Sequence, residues 1–565
     1  MTIESMKQTE FASSTYNDWK EKAEAALKGK PFDAALITPT IEGIDLAPLY
    51  TEDGQQLLAD QATVVQTAKG EAGWKVAQEV EAATAQEFLD NMREDLARGN
   101  EMIVYTSGTP IIWSDEELEQ LAELIQQHPI FFKLAKDDSD ILRVFDVLSD
   151  EALKNIVGVI STDEGVDAPE NVRDEPINTI PVHQAGGTAI QELGVALSMI
   201  VEKAGEDGLQ EIGKKLWVRF AVDTHFFQEI SKLRAFRVLW KALQSAYETD
   251  LPGIPVFTET SMRSYSKLDP YVNLLRAGNS TFSAVLGGTD AHTAHPHDLL
   301  TGRSPVSMRI ARNVQLVIKE ETHVKQVLDP SAGSFFIEKL TAQFVEEAWQ
   351  YFLRIEEQGG YSEVKRSGWL ADELQAKWVE REQLAASRKT TLIGTNVYAN
   401  PQEANKESDI DESHMEFLAA KRLSVPFEQL RAHGKETVVK TAIVLLEPLN
   451  VVKPQADFVS GVLSVAGIEP LISERLETAQ QVADFLVRES IDYAVLCGKP
   501  ETFEAIVPEL NVEAKLDVAG RLSKEQLAEY RSAGISGTVY SGMNLTKKLE
   551  EILSYGKAAF EHGKA

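Results

Sequence analysis

The chain has 565 residues, 43% of them hydrophobic, and carries 88 acidic against 56 basic side chains, a formal net charge of −32. That length exceeds one ordinary core, so two or three domains are expected, and the acidic balance argues against nucleic acid and membrane as partners. Cys497 is the only cysteine, which excludes an intrachain disulfide and suits a reducing, cytoplasmic setting; Met1–Lys7 leads into no signal core, and no apolar run reaches membrane-spanning length.

Residues 1–45 read as an arm that contacts a partner. Tyr16 to Leu27 has the pattern of a short amphipathic helix, with Ser13, Ser14 or Thr15 as its cap and Trp19, Ala23 and Leu27 at four-residue steps. Behind it, Ile37–Ile44 is irregular and apolar, and needs a surface of this chain or of another subunit to cover.

Over 46–395, short runs rich in branched and aromatic residues (Met102–Tyr105, Ile130–Leu134, Ile156–Ile160, Leu216–Val222, Ile254–Phe257) alternate with helical segments. Ile190, Leu193, Leu197 and Ile200 share one helix face, and another helix begins near Phe227. Repeated strand–helix units at this length predict an α/β fold, a (β/α)8 TIM barrel with its site loops at the strand C-termini. Residues 396–435 form a polar linker through Glu403–Glu412, anchored by Leu423, Val425, Pro426 and Phe427. Residues 436–565 alternate again: strands at Ala442–Leu446, Glu469–Ile472, Tyr493–Leu496, Leu516–Ala519 and Thr538–Tyr540, with helices starting near Gln455, Thr478, Glu501, Lys524 and Thr546. That pattern predicts a flavodoxin-like, doubly wound parallel sheet, and no Gly-rich phosphate loop accompanies it.

Few residues offer chemistry on their own. Asp290-Ala291-His292-Thr293-Ala294-His295-Pro296-His297-Asp298 holds metal-ligand types, and a metal-dependent barrel enzyme is one reading of it. The ligands crowd one loop, however, whereas barrel metal sites gather them from several strands. Lys232, Arg234 and Arg237 are spread around a helix, which fits surface ion pairs better than a phosphate clamp. His225, just before that helix, reads as a polar helix-start residue rather than a general base. Cys497 ends an apolar run and reads as an inert buried thiol.

Several strings in order resemble the cobalamin-dependent acyl-CoA mutases, the methylmalonyl-CoA mutase family. They are Tyr16-Asn17-Asp18-Trp19, Pro48-Leu49-Tyr50, Phe227 through Trp240, Asp269-Pro270-Tyr271-Val272-Asn273, Gly287-Gly288-Thr289, Ile310-Ala311-Arg312-Asn313 and Asp329-Pro330-Ser331-Ala332-Gly333-Ser334. The resemblance implies a barrel, a linker and a cobalamin-binding-type domain. It also exposes departures. Catalytic members place a histidine a few residues before an Ala-Gly pair; here the register puts Pro181 at that position before Ala185-Gly186, with His183 two residues on. On a strand such a shift keeps the face but moves the group by about 6–7 Å. The family's tyrosine-bearing stretch before its Trp segment is replaced by Ala68–Lys75, which contains Trp74 and no tyrosine. The family's cobalt-ligating Asp-X-His-X-X-Gly loop would fall at Pro448–Gln455. Val452 stands at the histidine position, with Asn450 and Gln455 at the flanking ones. Asp517-Val518-Ala519-Gly520 and Ser541-Gly542-Met543 are similar to loops that cradle the cofactor's nucleotide tail.

These departures imply no catalytic, cofactor-binding or metal residue in this chain. The expectation is a non-catalytic small subunit, paired with a homologous catalytic large subunit that carries adenosylcobalamin and interconverts (R)-methylmalonyl-CoA and succinyl-CoA. The alternatives are an active mutase with divergent residues and the metal-dependent barrel enzyme.

Overall fold

The computed structural model describes residues 14–51, 55–107, 110–135, 138–162, 165–205, 208–403 and 421–558. Met1–Lys7, Ser13 and most of the polar linker stretch, Ala404–Glu412, lie outside the described residues. In the arm, Thr15 closes a capping box with Asp18 and starts helix α1, Tyr16–Ala26. None of the residues of α1 is buried, whereas Phe32, Ile41 and Ile44 further along are buried in the chain's own body.

Among the described residues nine parallel strands follow. They are β1 Lys75–Val76, β2 Ile103–Thr106, β3 Ile130–Lys133, β4 Gly158–Ser161, β5 Val172–Arg173, β6 Glu175–Asn178, β7 Leu216–Val222, β8 Val256–Thr260 and β9 Ala291–Thr293. They form two open sheets, β1-β9-β8-β7-β6 and β2-β3-β4-β5, rather than the single closed ring expected. The interruption has local causes. β1 is two residues long, and Pro176 in the edge strand β6 has no N–H for a ladder on its free side. The sheets nevertheless share one interior, where Met102, Val104, Phe131 and Val159 of one meet Trp217, Phe257 and Ala291 of the other. Glu101 N–H donates to Val76 O at 2.9 Å across one seam, and Trp217 Nε1 donates to Ile160 O at 3.1 Å across the other.

Around the sheets lie the helices that carry the polar cluster discussed below. They are α2 Ile180–Gln184, α3 Ala189–Ala204, α4 Phe226–Ala246, α5 Pro270–Leu286, α6 Phe335–Glu357 and α7 Trp369–Ala386. Helix α3 begins at a Thr188–Gln191 capping box and is buried over most of its length. Leu193, Leu197, Leu233, Phe236 and Phe344 join α3, α4 and α6 in one apolar core.

The C-terminal region opens with α8, Val425–Glu436. Its sheet comprises β10 Thr441–Leu445, β11 Leu471–Arg475, β12 Tyr493–Cys497, β13 Lys515–Ala519 and β14 Ile535–Val539. All are parallel, in the order β11-β10-β12-β13-β14. The strands bury alternate residues on two faces. Ile443, Val495 and Val539 pack with α9, Leu449–Leu463, and α13, Leu545–Leu553. Val444, Leu496 and Val518 pack with α10 Ala479–Arg488, α11 Pro500–Ile506 and α12 Lys524–Ser532. Trp378 and Ala385 of α7 belong to the first of these cores, so one continuous apolar cluster joins the two regions.

Candidate functional site

In parallel strand–helix folds, ligands gather beyond the strand C-termini. At the first such place the stretch around His183 is not a strand. Ile180-Pro181-Val182-His183-Gln184 forms the short helix α2, with Pro181 in its first turn, where a missing N–H costs nothing. At about 100° per residue, Pro181 and His183 therefore point in different directions and do not share a face. His183 is fully buried. Its Nδ1 lies 2.7 Å from Glu192 Oε1 and its Nε2 2.7 Å from Ser261 Oγ, so both ring nitrogens are engaged. Burial, reinforced by Arg263, pushes the imidazole down to about 4.

The neighbouring Ala185-Gly186-Gly187 turn is clasped from both sides. Arg381 donates to Gly186 O and Gly187 O at 3.0 Å each. Arg263 donates to His183 O, to Gly187 O at 2.9 Å and to Asp223 at 3.3 Å. A side chain at Gly186 is barred twice, by φ +116° and by Trp378 Cβ, 2.8 Å from where its Cβ would stand. Glu42, from the arm, accepts the N–H groups of Ala189 and Ile190 at 3.1 Å each, filling the N-terminus of α3.

Lys232, Arg234 and Arg237 are not surface residues; all three are buried. Lys232 Nζ reaches Glu192 at 3.2 Å, Glu229 at 2.7 Å and Ala221 O at 2.6 Å. Burial alone would depress the ammonium's pKa, but the two carboxylates outweigh it and raise it. Arg234 binds Asp329 at 2.9 Å and Glu338 at 2.8 Å, and Arg237 binds Asp290 at 3.0 Å. The helical spacing is correct; the missing fact is that the partners arrive from α3, α6 and the sheet. His225 precedes α4, makes no capping bond and is solvent-exposed.

Within the shared interior, Phe131, Trp217 and Phe257 pack edge to face with centroids 5.1–5.5 Å apart. Above them stand the ion pairs Lys133–Glu79 and Arg219–Glu259, with His295 Nε2 at 3.7 Å from Glu259. Burial opposes ionisation of Glu79, but Lys133, His295 and Arg303 hold its carboxyl at about 2.

The histidine-rich stretch is not one loop. Ala291–Thr293 is strand β9 itself, so Asp290 precedes the strand and His295 to Asp298 follow it. Asp290 binds Lys69 and Arg237 before the strand. His292 contacts Thr258 at 2.8 Å and Thr281 at 3.1 Å within it. His297 stacks on Tyr271 after it. Among the described residues no group of three or more His, Cys, Asp or Glu side chains converges on a metal position.

The second place is the switch point of the C-terminal sheet, between the ends of β10 and β12. The expected loop at Pro448–Gln455 is a helix: α9 starts at Leu449, not near Gln455. The helix forms although Pro454 lies inside it and withholds one backbone N–H from the ladder. Asn450 is exposed, and Val452 is buried in the apolar core under the sheet. Two side-chain bridges span the crevice: Gln455 Nε2 donates to Gly498 O at 3.1 Å, and Thr502 Oγ1 donates to Glu447 at 2.6 Å. Asp517 is fully buried in β13, accepting from Tyr493 at 2.8 Å and Lys548 at 2.9 Å. Gly520 and Gly542 adopt positive φ in turns. Burial pushes the Cys497 thiol up to about 12, leaving it inert at neutral pH.

Both places thus belong to an α/β protein whose parallel strands end on ordered, internally bonded polar groups. The sequence profile of methylmalonyl-CoA mutase matches residues 170–466, and the chain belongs to the methylmalonyl-CoA mutase family. It is 27% identical to the methylmalonyl-CoA mutase small subunit of Porphyromonas gingivalis, over 96% of this chain and 97% of that protein. It is 26% identical to the small subunit of Streptomyces virginiae, over 93% of this chain and 95% of that protein. Its match to the large subunit of Porphyromonas gingivalis is 27% identical but covers only 53% of this chain and 43% of that protein.

Proposed function

We propose that this chain is the non-catalytic small subunit of a heterodimeric, adenosylcobalamin-dependent mutase, and that a homologous large subunit holds the cofactor and interconverts (R)-methylmalonyl-CoA and succinyl-CoA. The observation that carries this reading is Val452. The position assigned to the cobalt-ligating histidine is a buried valine inside α9, with no lone pair to offer a metal. A coordinating imidazole also needs a partner to orient it, and the flanking Asn450 points to solvent. The residues present do not fit a corrin, so no catalytic step is assigned to this chain. No catalytic, cofactor or metal residue is assigned either.

On this reading the two parallel sheets are the halves of a TIM barrel over 46–395, joined by the linker 396–435 to a flavodoxin-like domain over 436–565. The arm, 1–45, is the element we assign to partner contact; helix α1, none of whose residues is fully buried in this chain, supports that assignment. Mixing the purified chain with its cognate large-subunit homologue tests the proposal. The two are expected to co-elute on size exclusion, with mutase turnover in the mixture and none from this chain alone. Turnover by this chain alone would refute the assignment.

A further inference from the structure

At the seam of α3 and α4 two carboxylates meet one ammonium. Glu192 and Glu229 are 1% and 5% exposed and share the single ammonium of Lys232, itself wholly buried. Arg263 is committed to Asp223 at 3.3 Å and to backbone carbonyls. His183, from α2, meets Glu192 but not Glu229, and Arg381 of α7 is spent on Gly186 O and Gly187 O. An uncompensated buried carboxylate is costly enough that such a group takes up a proton instead.

The two carboxylates are not equivalent. Glu192 has both His183 and Lys232 as partners. Glu229 Oε2 lies 2.7 Å from Lys232 Nζ yet receives no well-directed hydrogen bond. The proton should rest on the carboxylate with fewer hydrogen-bond partners, which is Glu229. We propose that Glu229 holds a proton in the folded chain near neutral pH, making the α3–α4 seam a pH-sensitive element beneath the strand ends. Burial raises its carboxyl to about 7; Lys232 opposes the rise, and Glu192 and Asp223 reinforce it.

A folded-state value above the unfolded one means that stability is fully present below the ordinary glutamate range and is lost as pH rises through about 7. His183, held at about 4 by burial, acts in the opposite sense: its contribution is present above the ordinary histidine value and is lost as pH falls towards about 4. Comparing the full chain with Glu229→Gln cancels the histidine. Urea unfolding of both is expected to show the wild-type folding constant dropping relative to the variant by up to about tenfold per pH unit between about 5 and 7, then levelling. A gap that does not change with pH would overturn the proposal. Infrared spectra of the wild-type chain give a second reading that does not require the variant to fold. A protonated-carboxyl band lost between about pH 6 and 8.5 supports a proton on Glu229, and the absence of any such pH-dependent band contradicts it.

Discussion

The two places where ligands would sit are closed by opposite chemistry. At the strand ends of the larger region, the closure is ionic. His183, Glu192, Lys232, Glu229, Arg263 and Asp223 are buried and bonded or ion-paired to one another or to the backbone, although Glu229 Oε2 and Arg263 Nε receive or make no directed hydrogen bond. At the switch point of the C-terminal sheet the closure is apolar: Val452 joins the core, and only Gln455 and Thr502 bridge the rim. Polar residues can be buried at strand ends with no ligand to bind them. They can be retained provided each finds an internal partner, because a buried polar group left without one costs about 1–3 kcal/mol.

Lys232→Met breaks the ionic closure most directly. It strands Glu192 and Glu229 without a cation, and urea unfolding should show about 3–5 kcal/mol of lost stability, or failure to fold. A loss below about 1 kcal/mol would mean that the cluster is hydrated and only loosely coupled. His183→Ala is the finer cut. It leaves Glu192 and Ser261 each short of one partner, so a loss of about 2–3 kcal/mol is expected, while mutase turnover of the assembled pair stays unchanged. A collapse of turnover with intact assembly would place chemistry at this strand end and erase the distinction between the two regions.

The alternation of strands and helices was legible in the sequence because apolar periodicity is a local property. β7 falls on Leu216–Val222 as expected and six other expected strands lie within two residues, whereas the short strands β1, β5, β6 and β9 were not expected. Two short segments misled. Ile180–Gln184 has too few residues to show a period, and Pro181 suits the first turn of α2 as well as an extended stretch. The Pro448–Gln455 stretch was assigned to a loop through the resemblance, although its own residues permit the helix that forms. The burial of Lys232, Arg234 and Arg237 was not legible. Their partners Glu192, Asp329 and Glu338 lie 40 to 104 residues away in sequence, and no spacing rule reaches that far. Glu42, Arg263 and Arg381 were missed for the same reason: each acts on a backbone group of a distant turn.

The proposed role requires that the C-terminal sheet be a structural copy of a cofactor domain. Titrating the purified full chain with adenosylcobalamin and reading its absorption spectrum after removal of free ligand tests this most directly. No retained corrin is expected from this chain alone, and stoichiometric uptake is expected once the cognate large subunit is added. Stoichiometric uptake by this chain alone would contradict it.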